Sequence, residues 1–84
     1  MYSVIYDDIA LQDLGKTEKK TRKRIFEKIH STKENPFHYF EKLTSRDEFK
    51  LRVGDYRVIA DIDEKTKRIS ILFIDHRKNV YKKL

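Results

Sequence analysis

The stretch from Phe49 to Ile62, FKLRVGDYRVIADI, constrains the fold most strongly. It predicts two β-strands that fold back on each other at a tight corner formed by Gly54 and Asp55. Successive side chains of a strand point to opposite faces, so Lys50 and Arg52 are expected on the face opposite to their apolar neighbours. The first strand of this hairpin therefore has one core face and one charged face.

The second strand of the hairpin extends the same pattern. Val58, Ala60 and Ile62 form a second apolar row, which leaves Arg57 on the open side. If the two charged faces coincide, as a simple hairpin requires, Lys50, Arg52 and Arg57 form a compact cationic cluster that suits phosphate. Basic residues that alternate along a strand are also typical of a solvated sheet face, so this pattern alone leaves both interpretations open.

Length and composition limit the remaining possibilities. A chain of 84 residues is expected to form a single domain over residues 1–84. Its 20 Lys and Arg against 14 Asp and Glu give a net charge of +6, which favours polyanions or an acidic protein as partners. Without cysteine, signal peptide or long apolar run, the chain is expected to be soluble and cytoplasmic, with no membrane association.

The rest of the chain predicts further elements of both kinds. Two helices are expected as an antiparallel pair before the hairpin, the first ended by Gly15 and the second running from an N-cap at Thr17 to about Glu34. The expected strands outside the hairpin are Tyr2 to Tyr6 and Arg68 to Asp75. The second of these is apolar on both faces, which is typical of a strand in the interior of a sheet.

Two segments each allow a structural and a functional interpretation. The second helix is rich in Lys and Arg, which is typical of a solvated helix face but would also suit contact with a nucleic-acid backbone. The aromatic residues Phe37, Tyr39 and Phe40 are expected to pack under the sheet, although one of them could stack on a base.

A second basic group follows the last predicted strand. It consists of His76, Arg77 and Lys78, with Tyr81 shortly after, and it converges with the hairpin cluster if the last strand pairs with the hairpin. Such a group suits RNA cleavage by the 2′-hydroxyl, which needs a base, cations for the developing charge and an acid. His76 and Tyr81 are equally compatible with a surface histidine and a packing residue. The three histidines lack ligand-like spacing, so we expect no metal and no cofactor.

The segments LRVGDYRV at Leu51 to Val58 and HRKNVY at His76 to Tyr81 resemble the RelE/ParE superfamily of type II toxin–antitoxin toxins. The resemblance covers nearly the whole chain. It implies an α+β fold of order β-α-α-β-β-β, in which an N-terminal strand and a two-helix hairpin pack on one face of a small, curved, mainly antiparallel sheet.

RelE-like members of this superfamily are mRNA interferases, endoribonucleases that cut mRNA in the ribosomal A site without a metal and so inhibit translation. By motif position, the resemblance implies a base or charge stabiliser at Lys50, a transition-state contact at Arg57 and a leaving-group contact or acid at Arg77. Tyr81 matches a tail tyrosine that stacks on a base, and His76 could take over acid chemistry. Lys50 acts as a base only if it loses its proton, which nearby cations favour. The implied RNA-binding residues are Arg52, Lys78 and Lys82.

The resemblance also implies partners for this protein and leaves alternative functions open. The partners would be a RelB-like antitoxin, the ribosome and mRNA. Glu48 stands where RelE has another lysine, which removes one cation and places a group that could take protons. ParE-like members share the fold and poison DNA gyrase without cutting RNA. A third possibility is a chain that keeps the fold only to bind an antitoxin or operator.

Overall fold

A computed structural model describes residues 1–84 as an α+β fold with a five-stranded sheet. The strands are β1 (Ser3–Tyr6), β2 (Glu41–Lys42), β3 (Phe49–Val53), β4 (Tyr56–Asp63) and β5 (Arg68–His76). The helices are α1 (Asp8–Gly15), α2 (Lys19–Ser31), the single turn α3 (Pro36–Tyr39) and a C-terminal 3₁₀ helix (Val80–Lys82). The predicted fold class is confirmed.

The sheet has the order β1-β5-β4-β3-β2, and only the β1–β5 pair is parallel. The strand β5 therefore lies inside the sheet, as its apolar residues on both faces predicted. The strands β3, β4 and β5 form an antiparallel meander in sequence order. This arrangement brings the end of β5 next to the corner of the hairpin.

The main core lies between the helices and one face of the sheet. Ala10 and Leu14 from α1 and Ile25 and Ile29 from α2 are buried in it. The hairpin contributes Leu51, Val53, Val58 and Ala60, which were predicted to lie on its apolar face, and β5 contributes Ile69 and Ile71. Burial of this set removes apolar surface from water, which is the main favourable term in folding a chain of this length.

The hairpin corner depends on Gly54. Its φ is +58°, in the left-handed region that side chains with a Cβ rarely adopt. A Cβ at this position would lie 2.9 Å from Nη1 of Arg24, so the end of this side chain from α2 lies against the corner. The predicted turn is therefore also a point where the helix layer meets the sheet.

A second, smaller apolar cluster was not predicted. It contains Leu43, Ile59 and Val80, all nearly or fully buried, and it is separate from the main core. A register shift in β4 between Ile59 and Ala60 accompanies it. The cluster attaches the C-terminal segment to the sheet, although Val80 lies in a tail between the lysines Lys78 and Lys82.

The structure corrects several predicted boundaries. Glu18, not Thr17, occupies the N-cap of α2, because the Thr17 hydroxyl donates a hydrogen bond to the Leu14 carbonyl at 2.7 Å. The helix ends at Ser31 instead of about Glu34. The predicted order lacked β2, whose two residues pair with the outer side of β3 and are too few to show an alternating pattern.

None of the helices combines the length and the apolar character needed to cross a membrane.

Candidate nucleic-acid groove

A groove of about 760 Å³ lies where the hairpin, the end of β5 and the C-terminal segment meet. We call it the basic groove, and its lining residues are Lys28, His38, Tyr39, Glu41, Lys50, Leu51, Arg52, Arg57, Arg77, Lys78 and Tyr81. Six of these are lysines or arginines and one is a carboxylate. The surplus of positive charge in a concave surface favours a polyanionic ligand.

The sheet register explains why the two predicted basic groups meet. Arg52 and Arg57 are opposite residues of the β3–β4 pair. The backbone N–H of Arg77 donates a hydrogen bond of 2.7 Å to the carbonyl of Asp55 at the hairpin corner. The segment after β5 is thus tied to the corner, and Arg77 and Lys78 join the hairpin cations in one groove.

The two arginines that the sequence singled out are both held by local contacts. Nη1 of Arg57 donates to the carbonyls of Gly54 at 3.0 Å and of Tyr56 at 2.9 Å. Nε of Arg77 lies 3.8 Å from Oδ1 of Asp55, an exposed and therefore weak ion pair. Each guanidinium keeps other N–H groups for a ligand, and an arginine can donate to two phosphate oxygens at once.

Lys50 and Tyr81 contact each other although they are far apart in sequence. Nζ of Lys50 donates a hydrogen bond of 3.1 Å to the Tyr81 hydroxyl and lies 5.8 Å from the centre of its ring. Tyr81 is 56% exposed, which leaves its ring accessible for stacking. Tyr81 therefore lies in the same groove as Arg77.

The position of Tyr81 depends on anchors on both sides of it. Val80 is buried in the smaller cluster, and Nζ of Lys83 lies 2.8 Å from Oδ2 of Asp75. Burial raises the pKa of the Asp75 carboxyl, but hydrogen bonds from Lys83 and from the His76 N–H outweigh it, so the pKa falls below its ordinary value. The same bond raises the pKa of Lys83. Both groups are thus held in their charged forms near neutral pH.

His76 and Lys82, two predicted site residues, do not line the basic groove. The His76 ring packs edge-on against Tyr56 with 5.6 Å between ring centres, and its Nδ1 accepts a hydrogen bond of 3.2 Å from the Lys78 N–H. In this position His76 shapes the turn that carries Arg77 and Lys78.

Sequence reasoning missed four residues of the groove: Lys28, His38, Tyr39 and Glu41. A basic face of α2 and a stacking role for one of the aromatics were considered, but no pattern placed them beside the hairpin. The pairing of Glu41 with Lys50 in the β2–β3 register brings the segment around α3 to the groove. Glu41 gives the groove its one carboxylate, a group able to accept a proton.

Glu48, which stands where RelE has another lysine, does not contribute a side chain to the basic groove. It forms an ion pair with Arg46 at 3.1 Å, and the hydrogen bond from that arginine lowers the pKa of its carboxyl. It is not among the residues that line the basic groove. No group of three or more His, Cys, Asp or Glu side chains is arranged to hold a metal ion.

The fold matches two solved toxin–antitoxin complexes. A chain of the RelBE2 complex from Mycobacterium tuberculosis superposes with a TM-score of 0.84 at 26% identity, covering 90% of this chain and 98% of that one. A chain of the RelE–RelB complex from Pyrococcus horikoshii gives a TM-score of 0.74 at 26% identity, covering 90% of this chain and 94% of that one. The fold and its basic groove therefore define a protein of the RelE-like toxin class.

The sequence comparisons agree. The model of the ParE toxin family, described as toxins of the type II toxin–antitoxin system parDE, matches residues 4–81. A Methanocaldococcus jannaschii protein named "Putative toxin RelE4" is 33% identical over 78 residues, or 90% of this chain and 83% of that protein. This chain belongs to the RelE/ParE superfamily and is a toxin of a type II toxin–antitoxin system.

Proposed function

We propose that this toxin is a metal-independent endoribonuclease, an mRNA interferase that cleaves mRNA in the ribosomal A site and so stops translation in the cytoplasm. The observation that carries the proposal is the basic groove itself, which is lined by six cations and by Tyr81, the tyrosine that is hydrogen-bonded to Lys50. Phosphate contacts supply most of the affinity of such a surface for a nucleic acid, whatever its sequence.

The proposed reaction begins when a base removes the proton of an RNA 2′-hydroxyl. The 2′-oxygen then attacks the neighbouring phosphorus, the bond to the 5′-oxygen breaks, and the leaving oxygen takes up a proton. The products are a 2′,3′-cyclic phosphate and a 5′-hydroxyl. Extra negative charge develops on the phosphoryl oxygens during this step, and fixed cations stabilise it because they are oriented before the reaction begins.

The groove provides candidates for each role. Arg57 and Arg77 are assigned to the phosphoryl oxygens and the leaving group, because their guanidinium groups are oriented by the hairpin corner. Tyr81 is assigned to stacking on a base, and Arg52 and Lys78 to RNA binding. The proton of the 2′-hydroxyl can pass to Lys50, as the resemblance implies, or to Glu41, the carboxylate of the groove. His76 and Lys82 remain candidates only if the turn and tail that carry them move when the toxin binds RNA.

The natural inhibitor is proposed to be a RelB-like antitoxin that wraps the single toxin domain of residues 1–84. The two solved complexes described above pair a toxin with such an antitoxin. An acidic segment of the antitoxin would be attracted to the basic groove and would block RNA from entering it.

The test is primer extension on mRNA held on programmed ribosomes, with free RNA as a second substrate. The wild-type protein should cut within the A-site codon. Arg57→Ala and Arg77→Ala should each lower the cleavage rate roughly 100-fold or more, the usual cost of removing one group that stabilises transition-state charge. Circular dichroism should show that both variants stay folded.

Arg68→Ala is the matched control, because Arg68 is an exposed arginine at the start of β5 and does not line the groove. It should cut at the wild-type rate. If Arg57→Ala and Arg77→Ala also cut at that rate, these two arginines are not the active-site groups.

The second candidate function is inhibition of DNA gyrase without RNA cleavage. It is favoured by one observation, that the matching family model is that of ParE toxins. Inhibition of supercoiling by a protein that leaves ribosome-bound mRNA intact would select this candidate. Expression without growth arrest and without either activity would indicate a chain that keeps the fold only for antitoxin or operator binding.

A further inference from the structure

Tyr39 is exposed although its neighbours anchor the turn that carries it. Pro36 and Phe40, on either side, are buried, and Phe37 packs edge-on against Phe49 with 5.6 Å between ring centres. Tyr39 itself is 42% exposed, lines the basic groove and forms no hydrogen bond through its hydroxyl. The Tyr39 ring therefore contributes little to the core, while the buried neighbours hold the backbone of Tyr39 in a fixed position.

Lys28, a residue of α2, lies beside the Tyr39 ring. Its Nζ is 5.0 Å from the ring centre, within the range of a cation–π contact. It is half-buried, unlike the neighbouring basic residues Lys23 and Arg24 of the same helix. One ring face and one oriented ammonium thus stand together at the α2 side of the groove.

The groove continues past Lys28 into a smaller pocket of about 480 Å³. Lys28 and Arg52 line both cavities, and Arg24 lines the smaller one, with its guanidinium next to Gly54. Glu27 is the one carboxylate of this pocket, so three cations face one anion. The local charge remains positive and is held by a helix and a strand, not by a mobile loop.

The opposite side of the groove opens into a pocket of about 340 Å³ that shares Glu41, Lys50 and Tyr81 with it. Each end of the groove therefore carries one exposed tyrosine with a lysine ammonium near its ring. Repetition of an aromatic platform and a cation along a groove is how proteins hold successive nucleotides of a single strand.

We propose that Tyr39, Lys28, Arg24 and Arg52 form a second nucleotide subsite for single-stranded RNA. Tyr39 stacks on one base, and the three cations hold the phosphate of that nucleotide. This subsite rests on the proposed function and deepens it, since the strand runs from the subsite at Tyr39 past the arginines of the hairpin to Tyr81. The α2 end then holds RNA that is not itself cleaved.

The experiment measures equilibrium binding of a fluorescein-labelled 2′-O-methyl RNA hexanucleotide to the full chain by fluorescence anisotropy. This RNA cannot be cleaved because its 2′-oxygens are methylated. Tyr39→Leu should raise the Kd roughly tenfold or more, the effect expected from losing one stacked base, and Tyr39→Phe should keep wild-type binding. Lys28→Gln should reduce the slope of log K against log salt concentration by about 0.7, the value for one lost phosphate contact on a single strand.

Lys23→Gln is the matched control, because it removes the same charge from the same helix outside both pockets. It should leave both the Kd and the salt slope unchanged. Equal losses in Lys23→Gln and Lys28→Gln would overturn the subsite, since they would indicate attraction to net charge alone. Wild-type binding by Tyr39→Leu, or no saturable binding by the wild-type chain, would also overturn it.

Ribosome-bound mRNA assayed in parallel separates this proposal from the nuclease proposal. Hexanucleotide binding that depends on Tyr39, together with intact mRNA, would support the subsite and reject the nuclease. A-site cleavage by the wild-type protein, together with unchanged hexanucleotide binding in Tyr39→Leu, would keep the nuclease and reject the subsite.

Discussion

At the scale of single residues, the Tyr6 phenol links the first strand to α2. Its hydroxyl lies 3.1 Å from Nε2 of His30, and its ring stacks on Phe26 with 6.2 Å between ring centres. Burial raises the pKa of Tyr6 to about 12. The folded protein holds this proton more tightly than the unfolded chain does. The free energy of unfolding therefore keeps its full value below about pH 10, the ordinary pKa, and falls as pH rises from there through about 12. We therefore expect Tyr6→Phe to remove the component of tyrosinate absorbance that titrates near pH 12.

Tyr39→Phe is the control for this titration, because it removes an exposed phenol and should leave the component near pH 12 in place. Tyr6→Phe should also lower the free energy of unfolding by about 1 kcal/mol at neutral pH, the usual value of one hydrogen bond. A component near pH 12 that persists in Tyr6→Phe would assign it to another tyrosine.

At the scale of elements, the C-terminal 3₁₀ helix depends on one apolar side chain. Val80 is fully buried against Leu43 and Ile59, and it directly precedes Tyr81. Val80→Ala should lower the free energy of unfolding by about 1–3 kcal/mol, through lost burial and the cavity left behind. On the proposed function it should also slow mRNA cleavage, because Tyr81 loses its fixed position. Urea unfolding and primer extension measure the two effects.

Val4→Ala is the comparison for this element, because Val4 lies on β1 and packs against the main core away from the tail. It should lower stability and leave cleavage by the folded protein unchanged. If Val80→Ala loses stability but cuts mRNA at the wild-type rate, the tail anchors the fold and does not position Tyr81 for the reaction.

At the scale of the whole molecule, the charges are separated between two surfaces. The basic groove carries six cations, whereas the surface around the β4–β5 turn carries Asp47, Asp61, Asp63 and Glu64. Burial, helped by the nearby carboxylates Glu48, Asp47 and Asp7, raises the pKa of Asp61.

Because the cations of the groove are separated from this acidic surface, the two surfaces should differ in RNA binding. Lys78→Gln should reduce the slope of log K against log salt concentration for single-stranded RNA by about 0.7, whereas Lys65→Gln, at the acidic surface, should not change it.

The two variants carry the same net charge, so they separate the effect of local charge from that of the total of +6. Anisotropy titrations over a series of salt concentrations supply the slopes. Equal slopes for Lys78→Gln and Lys65→Gln would show that the groove is not where RNA binds.

Local patterns in the sequence predicted much of the fold. The alternation from Phe49 to Val53 and the glycine at the corner predicted the hairpin, since strand geometry and a positive φ are determined by a few neighbouring residues. The apolar run of β5 predicted its interior place in the sheet. The two-residue strand β2 and the cluster around Val80 were missed, because their stability comes from partners distant in sequence.

The candidate site was predictable to the extent that its residues lie on those patterns. Lys50, Arg52 and Arg57 were placed by alternation, and Arg77, Lys78 and Tyr81 by the motif at the end of β5. Lys28, Tyr39 and Glu41 carry no local signal for the groove, because only the packing of α2 on the sheet and the pairing of β2 with β3 bring them there.

The sequence by itself determined the charged face of the hairpin, because this depends on side-chain type at short, regular spacing. Its two motifs, LRVGDYRV and HRKNVY, carried the resemblance that implied the fold and the superfamily. The tertiary structure alone decided which cations share one groove, that His76 lies outside it, and that Tyr39 and Tyr81 stand at its two ends. Those features depend on contacts between segments far apart in the chain. The register of β2 with β3, the packing of α2 on the sheet and the burial of Val80 determine which side chains meet.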